Sequence, residues 1–230
     1  MHLLLNNEFH GFSQFLRKVV IRRQIKEIEP YHPILMDGAL VSGGERGCSD
    51  RWAVISEVVS KFPGTVLDLG CAEGYYVQRV ARELGCFVLG VDADVRRLTI
   101  AQDVNVLNKT ERAGFMYAHI TSEFLGKLPI FDTVICLSVL HHVMYEHGVE
   151  YARDFLRIIR EKTAKSLIVD MGQSNEAAME WAPLLPDMGP DPHEWIAGFI
   201  RSSGFSEVIK AGETDAYKSN VRRAVFVAYP

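Results

Sequence analysis

From about residue 66 onward, short apolar runs alternate with longer segments in which apolar residues recur at helical spacing. This alternation is typical of a sheet built from strand–helix–strand crossovers. Helices are predicted before the first strand and after Gly74, Asp94, Gly148 and Asn175. The predicted strands are Thr65–Leu69, Phe87–Val91, Phe115–Ile120, Phe131–Ser138, Ser166–Met171, Phe205–Ala211 and Val221–Tyr229. The pattern therefore predicts an α/β fold.

Residues 1–50 have a different character. One amphipathic helix is predicted there, and proline and glycine residues then mark an irregular stretch between Pro30 and Gly47. The apolar positions that predict this helix are Phe12, Phe15, Leu16 and Val19. We expect an N-terminal helical and irregular cap over residues 1–50 and a single larger domain over residues 51–230.

Composition narrows the class of protein. The chain has 230 residues, is 48% hydrophobic and 23% charged, and carries a net charge of -4, so we expect a globular protein without a nucleic acid partner. Its four cysteines are too scattered for a disulfide framework or a zinc site, and we predict no metal. No apolar run is long enough for a signal peptide or a transmembrane segment, so we expect a cytoplasmic location.

Positive charge is concentrated in the predicted N-terminal helix. Five cations with no acid between them are Arg17, Lys18, Arg22, Arg23 and Lys26. A solvated helix face explains them, and so does peripheral contact with anionic lipid or a phosphorylated acceptor. The sequence leaves these alternatives open.

The first strand runs directly into a turn of small residues. Gly70, Ala72 and Gly74 leave the backbone open to a ligand, and the following helix offers free N–H groups at its start. A dinucleotide site requires glycine where Ala72 and Tyr75 stand, and Asp68 would repel a pyrophosphate. S-adenosylmethionine carries an ammonium and a sulfonium and no phosphate, so it suits this turn better.

An acid also ends the second strand. Asp92 lies about 20 residues after the turn, where an acid commonly accepts hydrogen bonds from ribose hydroxyls. The alternative is that Asp92 caps the next helix, but Asp94 is better placed for that cap. We therefore predict a ribose-binding role for Asp92.

The segments Val66–Val77, Val91–Asp92 and Phe131–Ser138 resemble successive motifs of class I S-adenosylmethionine-dependent methyltransferases. This resemblance covers roughly residues 50–230. It implies an α/β, Rossmann-like, doubly wound sheet of seven strands, mostly parallel with one antiparallel strand near its end. The cofactor positions that it implies are Asp68, Gly70, Cys71, Ala72, Gly74, Tyr75, Asp92, Ala93, His119, Ile120, Leu137 and Ser138. Many relatives have an acid where this chain has His119, and core packing is an alternative for Tyr75.

A narrower similarity is to the methyltransferase portion of bifunctional enzymes that terminate bacterial O-antigen polysaccharides and also carry a kinase. It depends on Tyr31, Arg51-Trp52, Leu137–His142, Glu180-Trp181, Leu185-Pro186, Gly204-Phe205 and Arg222-Arg223. In that group a tyrosine and an arginine help to cover the cofactor, and Tyr31 and Arg51 match them. A surface position for Arg51 is the alternative. The kinase portion has no counterpart in this sequence, so a separate kinase partner is expected if the acceptor carries phosphate.

The acceptor side is predicted just after the fourth strand, where His141, His142 and His147 cluster. The catalytic candidates are His142, which we favour, and His141, because a histidine can take a proton from a hydroxyl or amine acceptor. Metal ligation with Glu146, or ordinary surface exposure, would also explain the cluster. Trp181 and Trp195 either form an acceptor wall or pack against the sheet. Arg46, Arg51, Arg222 and Arg223 are candidate anion binders.

We therefore predict an enzyme that transfers a methyl group from S-adenosylmethionine to an oxygen of a saccharide or sugar phosphate. Two alternatives remain open at this stage. One is O- or N-methylation of a small secondary metabolite, and the other is a catalytically silent cofactor-binding scaffold. The expected partner is a small-molecule or glycan acceptor.

Overall fold

The computed structural model describes residues 2–44, 48–216 and 219–230, and it describes side chains from residue 13 onward. The helices are α1 (His2–Glu27), α2 (Ser49–Lys61), α3 (Tyr75–Glu83), α4 (Val95–Leu107), α5 (Ser122–Lys127), α6 (Leu140–His147), α7 (Val149–Glu161) and α8 (Pro192–Ser202). The strands are β1 (Ile34–Met36), β2 (Ala39–Ser42), β3 (Thr65–Leu69), β4 (Phe87–Asp92), β5 (Ala113–Tyr117), β6 (Phe131–Leu137), β7 (Thr163–Asp170), β8 (Glu207–Asp215) and β9 (Arg222–Tyr229).

The main sheet has seven strands in the order β5-β4-β3-β6-β7-β9-β8. Strand β9 runs antiparallel to both β7 and β8, while β3 to β7 are parallel. The chain builds outward from β3 to β5, then crosses back and builds outward from β6, so the strand order reverses between β3 and β6. Such a reversal opens a crevice at the carboxyl ends of the strands. The predicted doubly wound sheet is confirmed.

Helices cover both faces of this sheet, and strand β3 shows how. Leu67 and Leu69 point into the hydrophobic cluster under α5, α7 and α8, whereas Val66 joins the cluster under α2 and α3. Alternate residues of a strand face opposite sides of a sheet, so a strand buried on both sides is apolar throughout. Asp68 is the polar exception among the buried residues of β3, and it lies near the crevice.

The N-terminal segment contains a hairpin where the sequence analysis expected irregular structure. Strands β1 and β2 pair antiparallel around Asp37 and Gly38, which have φ values of 51° and 80°. Positive φ at both central residues is the requirement of a tight hairpin turn, and an Asp-Gly pair between apolar runs is its usual sequence signal. The prediction of irregular structure was wrong because Gly38 was interpreted only as a residue that interrupts regular secondary structure, and the Asp37-Gly38 pair was not interpreted as a hairpin turn.

The predicted N-terminal helix is confirmed. Its buried residue Ile21 packs against the rest of the fold. Ile21 is buried in a cluster with Ile34, Ile100 and Val104, which joins α1 to β1 and α4. The positions Phe15, Leu16 and Val19 are exposed instead, and the side chain of Phe12 lies outside the described part of the chain. Among the described residues, no helix is long and apolar enough to cross a membrane.

The helix predicted after Asn175 is wrong. Residues 174–181 form turns, a short 3-10 helix spans Ala182–Leu184, and α8 starts only at Pro192. Prolines between residues 183 and 190 remove helical hydrogen-bond donors, which explains the break. Asp191 then caps α8 by accepting a hydrogen bond from the Glu194 backbone N–H.

Candidate active site

A cavity of about 810 Å³ opens at the carboxyl ends of β3, β4 and β6. This volume falls within the range of small-molecule sites, which is roughly 300–1,000 Å³. Predicted site residues that line it are Tyr31, Gly70, Ala72, Asp92, Ala93, His119, Ile120, Leu137, Ser138, His141 and His142. Thr121, Val139, Glu146, Met179, Trp181 and Arg223 also line it. The structure thus brings eleven of the predicted residues to one cavity.

The turn after β3 is shaped by backbone conformation. Gly70 has a φ of 76°, and a Cβ there would lie 2.6 Å from Val139 Cγ2. Only glycine meets both conditions without strain. Ala72 has a φ of 47°, which is unusual for a residue with a side chain, and its backbone N–H donates to Asp92 Oδ2 at 2.7 Å. Strained residues of this kind gather at functional sites.

Asp92 stands at the end of β4 and joins two backbone segments. Its Oδ2 accepts the hydrogen bond from Ala72, and its Oδ1 accepts one from the Asp94 backbone N–H at 2.8 Å. A carboxylate has about four acceptor sites, so capacity remains for ligand hydroxyls. Asp94 caps α4 by accepting from the Arg96 and Arg97 backbone N–H groups, as predicted.

Asp68 is buried behind the turn and does not line the cavity. Burial, together with the nearby charge of Asp92, raises the pKa of Asp68 to about 7. Its Oδ2 has no hydrogen-bond partner among the described residues. An unpaired carboxylate oxygen in such a place is costly unless a donor or a cation meets it. A ligand ammonium would supply both, so the residues here fit a cationic ligand.

Arg51 lies in the first turn of α2 and is buried, which contradicts the surface alternative. Its Nε donates to Asp170 Oδ2 at 2.7 Å. Burial is the largest single effect and lowers the pKa of Arg51, but the charge and hydrogen bond of Asp170, together with Tyr76 and Tyr31, outweigh it and the net pKa is raised. Asp170 Oδ1 also accepts hydrogen bonds from the backbone N–H and the hydroxyl of Ser138. Arg51 Nη1 has no hydrogen-bond partner among the described residues.

Ser138 follows β6, lines the cavity and has a φ of 59°. The two hydrogen bonds to Asp170 hold it in this left-handed conformation, which costs of order 1–3 kcal/mol for a residue with a side chain. Asp170 therefore fixes both a cation and a strained serine. Sequence analysis did not find Asp170, because nothing local marks it as more than the end of a strand.

Glu73 is the second residue that sequence analysis missed. Its buried carboxylate accepts hydrogen bonds from the backbone N–H groups of Tyr31 and His32, both at 3.0 Å, and pairs with Arg97. Glu73 thereby ties the N-terminal cap to the glycine turn. This contact holds Tyr31 at the edge of the cavity.

Five predicted cofactor positions do not line the cavity: Arg51, Asp68, Cys71, Gly74 and Tyr75. Cys71 is buried beneath the turn, and burial raises the pKa of its thiol well above the usual range. Gly74 begins α3 in a left-handed conformation with a φ of 75°. The Tyr75 hydroxyl accepts a hydrogen bond from Arg79 Nη1, and its ring lines a separate, smaller cavity between α3 and the β1–β2 hairpin. The structure therefore separates Tyr75 from the candidate site.

The histidines at the other end of the cavity lie on helix α6. His141 is buried, and its Nδ1 accepts a hydrogen bond from the Gly172 backbone N–H at 3.0 Å, so it packs. His142 is exposed to the cavity, and its ring centroid lies 4.2 Å from that of His141. Partial desolvation lowers the pKa of His142, Glu146 opposes this and Arg223 adds to it. His142 is therefore mainly neutral near pH 7, as a proton acceptor must be.

Trp181 forms a wall of the cavity next to these histidines. Its ring lies 4.4 Å from His141 and 6.4 Å from His142, measured between centroids. Gly172 makes room for it, because a Cβ at residue 172 would lie 2.1 Å from the Trp181 ring. Trp195 does not line the cavity and stacks on Phe199 at 5.3 Å. The two predicted tryptophans thus have different roles.

Of the two arginines at the start of β9, only Arg223 points inward, as alternation along a strand requires. Its Nε and Nη2 each donate to the buried carboxylate of Glu176 at 2.7 Å, and its Nη1 donates to Ser138 Oγ at 3.3 Å. Arg222 is exposed and pairs with Glu213 and Asp215. Arg46 lies outside the described residues.

Comparisons with known proteins agree with this geometry. Residues 66–162 match the family model described as a methyltransferase domain. The chain is 28% identical over 190 residues to the O-antigen chain terminator bifunctional methyltransferase/kinase WbdD of Escherichia coli, covering 79% of this chain and 25% of that protein. A WbdD crystal structure aligns with a TM-score of 0.76 and 26% identity over 91% of this chain and 46% of the other.

A further solved structure, the N-terminal domain of EvdMO1 with SAH bound, has the same fold. It aligns with a TM-score of 0.66 and 19% identity over 92% of this chain and 96% of that domain. Residues 66–162 match a methyltransferase domain, and the fold and the cavity are similar to those of class I S-adenosylmethionine-dependent methyltransferases, which supports S-adenosylmethionine as the cofactor. Within that class the chain resembles WbdD, although it spans about a quarter of the length of that curated relative.

Proposed function

We propose that this methyltransferase modifies a hydroxyl oxygen of a saccharide. The observation that carries the proposal is the balance of charge around the cavity. Two arginines line it, and each is already paired with a carboxylate: Arg97 with Glu73, and Arg223 with Glu176. The described lining adds three further carboxylates, namely Asp92, Asp94 and Glu146.

This balance disfavours a phosphate acceptor. A phosphate monoester carries a charge of about −1.5 to −2 near pH 7 and is usually held by unpaired arginine or lysine side chains. None of the described residues that line the cavity supplies such a cation. A neutral hydroxyl has no such requirement, and the Trp181 ring offers the apolar face that a sugar ring can cover.

At the cofactor end, the proposed roles follow the chemistry of each group. S-adenosylmethionine supplies a methyl group that is activated by its sulfonium. Asp92 binds the ribose hydroxyls. Asp68 and Arg51 do not line the cavity, so they act from behind its wall: the Asp68 carboxylate attracts the ammonium, and the Arg51 guanidinium attracts the carboxylate. Ala93, His119 and Ile120 lie against the adenine, and Tyr31 covers this end.

At the acceptor end, His142 is the proposed general base. As the acceptor oxygen attacks the methyl carbon, a ring nitrogen of His142 takes the hydroxyl proton, and the electron pair of the breaking carbon–sulfur bond remains on sulfur. General bases contribute about 10²–10⁴-fold to such steps. His141 holds the ring of His142 in place by contact and does not transfer the proton itself.

The proposal is tested by transfer of a labelled methyl group from S-adenosylmethionine into glycan fractions, with and without phosphatase treatment of the acceptor. We expect the label to survive phosphatase. We also expect His142→Ala to slow transfer at least 100-fold, while His193→Ala, outside the cavity, leaves the rate unchanged. Loss of all transfer after phosphatase treatment would show that phosphate is the acceptor and would overturn the proposal.

A further inference from the structure

Helix α1 exposes a row of large apolar side chains. Phe15, Leu16, Val19 and Val20 are 60%, 47%, 47% and 49% exposed. Phe15 and Val19, and Leu16 and Val20, are four residues apart and Leu16 and Val19 are three apart, so these side chains form one face of the helix. Ile21 occupies the opposite face and is fully buried against α4. Monomeric proteins seldom expose contiguous apolar patches, and those that occur are often binding surfaces.

Toward the C-terminal end of α1, the same face of the helix carries positively charged side chains. Arg22 and Lys26 are exposed and lie seven residues after Phe15 and Val19, which is two helical turns along one face. Arg23 lies between them in sequence and is exposed as well, although it pairs with Glu27 at 3.0 Å. The outward face therefore has an apolar half followed by a basic half.

The other two cations of the predicted basic cluster do not belong to this face. Arg17 bonds to Asp103 of α4 at 2.8 Å, and Lys18 pairs with Asp37 of the hairpin turn at 2.5 Å. They hold the helix against the fold. The cluster thus divides into inward cations that attach α1 and outward cations that remain available to a partner.

The order of apolar and basic residues distinguishes between occupants. If a second copy covered this face through a twofold axis, the cations of one helix would meet either the cations or the apolar side chains of the other. The acid that α1 offers in this segment is Glu27, which already pairs with Arg23, so neither contact supplies an acid for Arg22 and Lys26. A bilayer surface provides apolar chains and anionic headgroups side by side, which complements both halves at once.

We propose that the face formed by Phe15, Leu16, Val19, Val20, Arg22, Arg23 and Lys26 docks on membranes that contain anionic lipid. The helix lies along the surface, with its apolar side chains at the boundary between headgroups and acyl chains. Its cations contact lipid phosphates. Binding is peripheral and reversible.

Co-sedimentation of the full chain with vesicles tests this proposal. We expect binding to mixed phosphatidylcholine and phosphatidylglycerol vesicles, weaker binding as salt increases, and little binding to phosphatidylcholine alone. The variant Phe15→Ser/Val19→Ser should lose binding. The variant Arg22→Gln/Lys26→Gln should weaken it by about fivefold for each charge removed.

A matched control replaces two equally exposed apolar residues elsewhere. Ile130 and Leu184 are 64% and 66% exposed, and Ile130→Ser/Leu184→Ser should bind vesicles like the unaltered chain. Unchanged thermal unfolding of all variants shows that they are folded. Absence of vesicle binding, or equal binding by the Phe15→Ser/Val19→Ser variant, would overturn the proposal. Self-association that this variant abolishes, without vesicle binding, would identify a second copy as the occupant instead.

Discussion

The two ends of the cavity are built in different ways. At the proposed cofactor end, short segments that directly follow strands supply backbone groups and small residues, as in the turn from Gly70 to Gly74 and the pair Asp92-Ala93. At the proposed acceptor end, side chains from α6, the loop before α8 and strand β9 converge through packing and a buried ion pair. One end is therefore specified locally, and the other by the tertiary fold.

This difference indicates which part of the cavity can vary between proteins with this fold. The cofactor end needs a fixed backbone, because its ligand is always the same. The acceptor end consists of replaceable side chains on a rigid sheet, which is where specificity is usually located.

The largest effect is expected from the acceptor end. Glu176→Ala leaves the buried Arg223 guanidinium without its carboxylate, so the free energy of unfolding should fall by about 3–5 kcal/mol in a urea titration. Replacing both residues, as in Glu176→Leu/Arg223→Met, should recover most of that loss, because the charge is removed as well. Removing the exposed Glu123 from its pair with Lys127 should change nothing measurable. A small loss for Glu176→Ala would contradict our account of this end.

The next effect concerns the pH dependence of methyl transfer. The pKa of His142 is lowered, and a general base works only when it is unprotonated, so kcat/KM should be flat near pH 7 and fall tenfold per unit below that pKa. Because Glu146 raises the pKa of His142, Glu146→Gln should move the fall to lower pH. Cofactor affinity measured over the same range separates this effect from Asp68, whose pKa is about 7. An identical profile for His142→Ala would exclude the proton-transfer role.

A smaller effect is expected when the acid after β4 is removed. Asp92→Ala should weaken binding of S-adenosylmethionine by about 1.5–3 kcal/mol, the usual contribution of a hydrogen bond to a charged group. Titration calorimetry measures this. The same variant also frees the backbone N–H groups of Ala72 and Asp94, so thermal unfolding must be measured alongside. Unchanged affinity in a folded variant would remove the ribose assignment.

The smallest effect distinguishes Asp94 from its neighbour. Asp94→Ala removes the cap of α4 and should lower the free energy of unfolding by about 1 kcal/mol. Cofactor affinity should fall much less than for Asp92→Ala. Equal losses of affinity in the two variants would mean that the two carboxylates share one role.

Sequence reasoning succeeded where the relevant residues are close together in the chain. The strand patterns predicted all seven strands of the main sheet, with ends shifted by a few residues, and the glycine turn needs only the residues between Asp68 and Gly74. The β1–β2 hairpin was missed although Asp37-Gly38 marked it. The sequence therefore contained enough information to predict this hairpin, but the Asp37-Gly38 pair was not used.

The rest depends on contacts that the chain does not mark locally. Arg51 and Asp170 are 119 residues apart, and Arg223 and Glu176 are 47 apart. Nothing in the neighbouring sequence distinguishes these four charged residues from others, and each lies beside its oppositely charged partner only in the folded protein. For the same reason, the sequence offered Arg222 and Arg223 as candidate anion binders, whereas the structure pairs Arg223 with Glu176 and directs Arg222 outward to Asp215.

Gly172 and Trp181 occupy a single volume between them, since any side chain at residue 172 would collide with the indole ring. Residues 172 and 181 therefore cannot change independently of each other during evolution. A lineage that replaces the tryptophan with a smaller residue gains space at residue 172, and a lineage that keeps it must keep the glycine. We therefore expect the pair to change together across descendants of this fold, and a change in the pair to mark a change of acceptor.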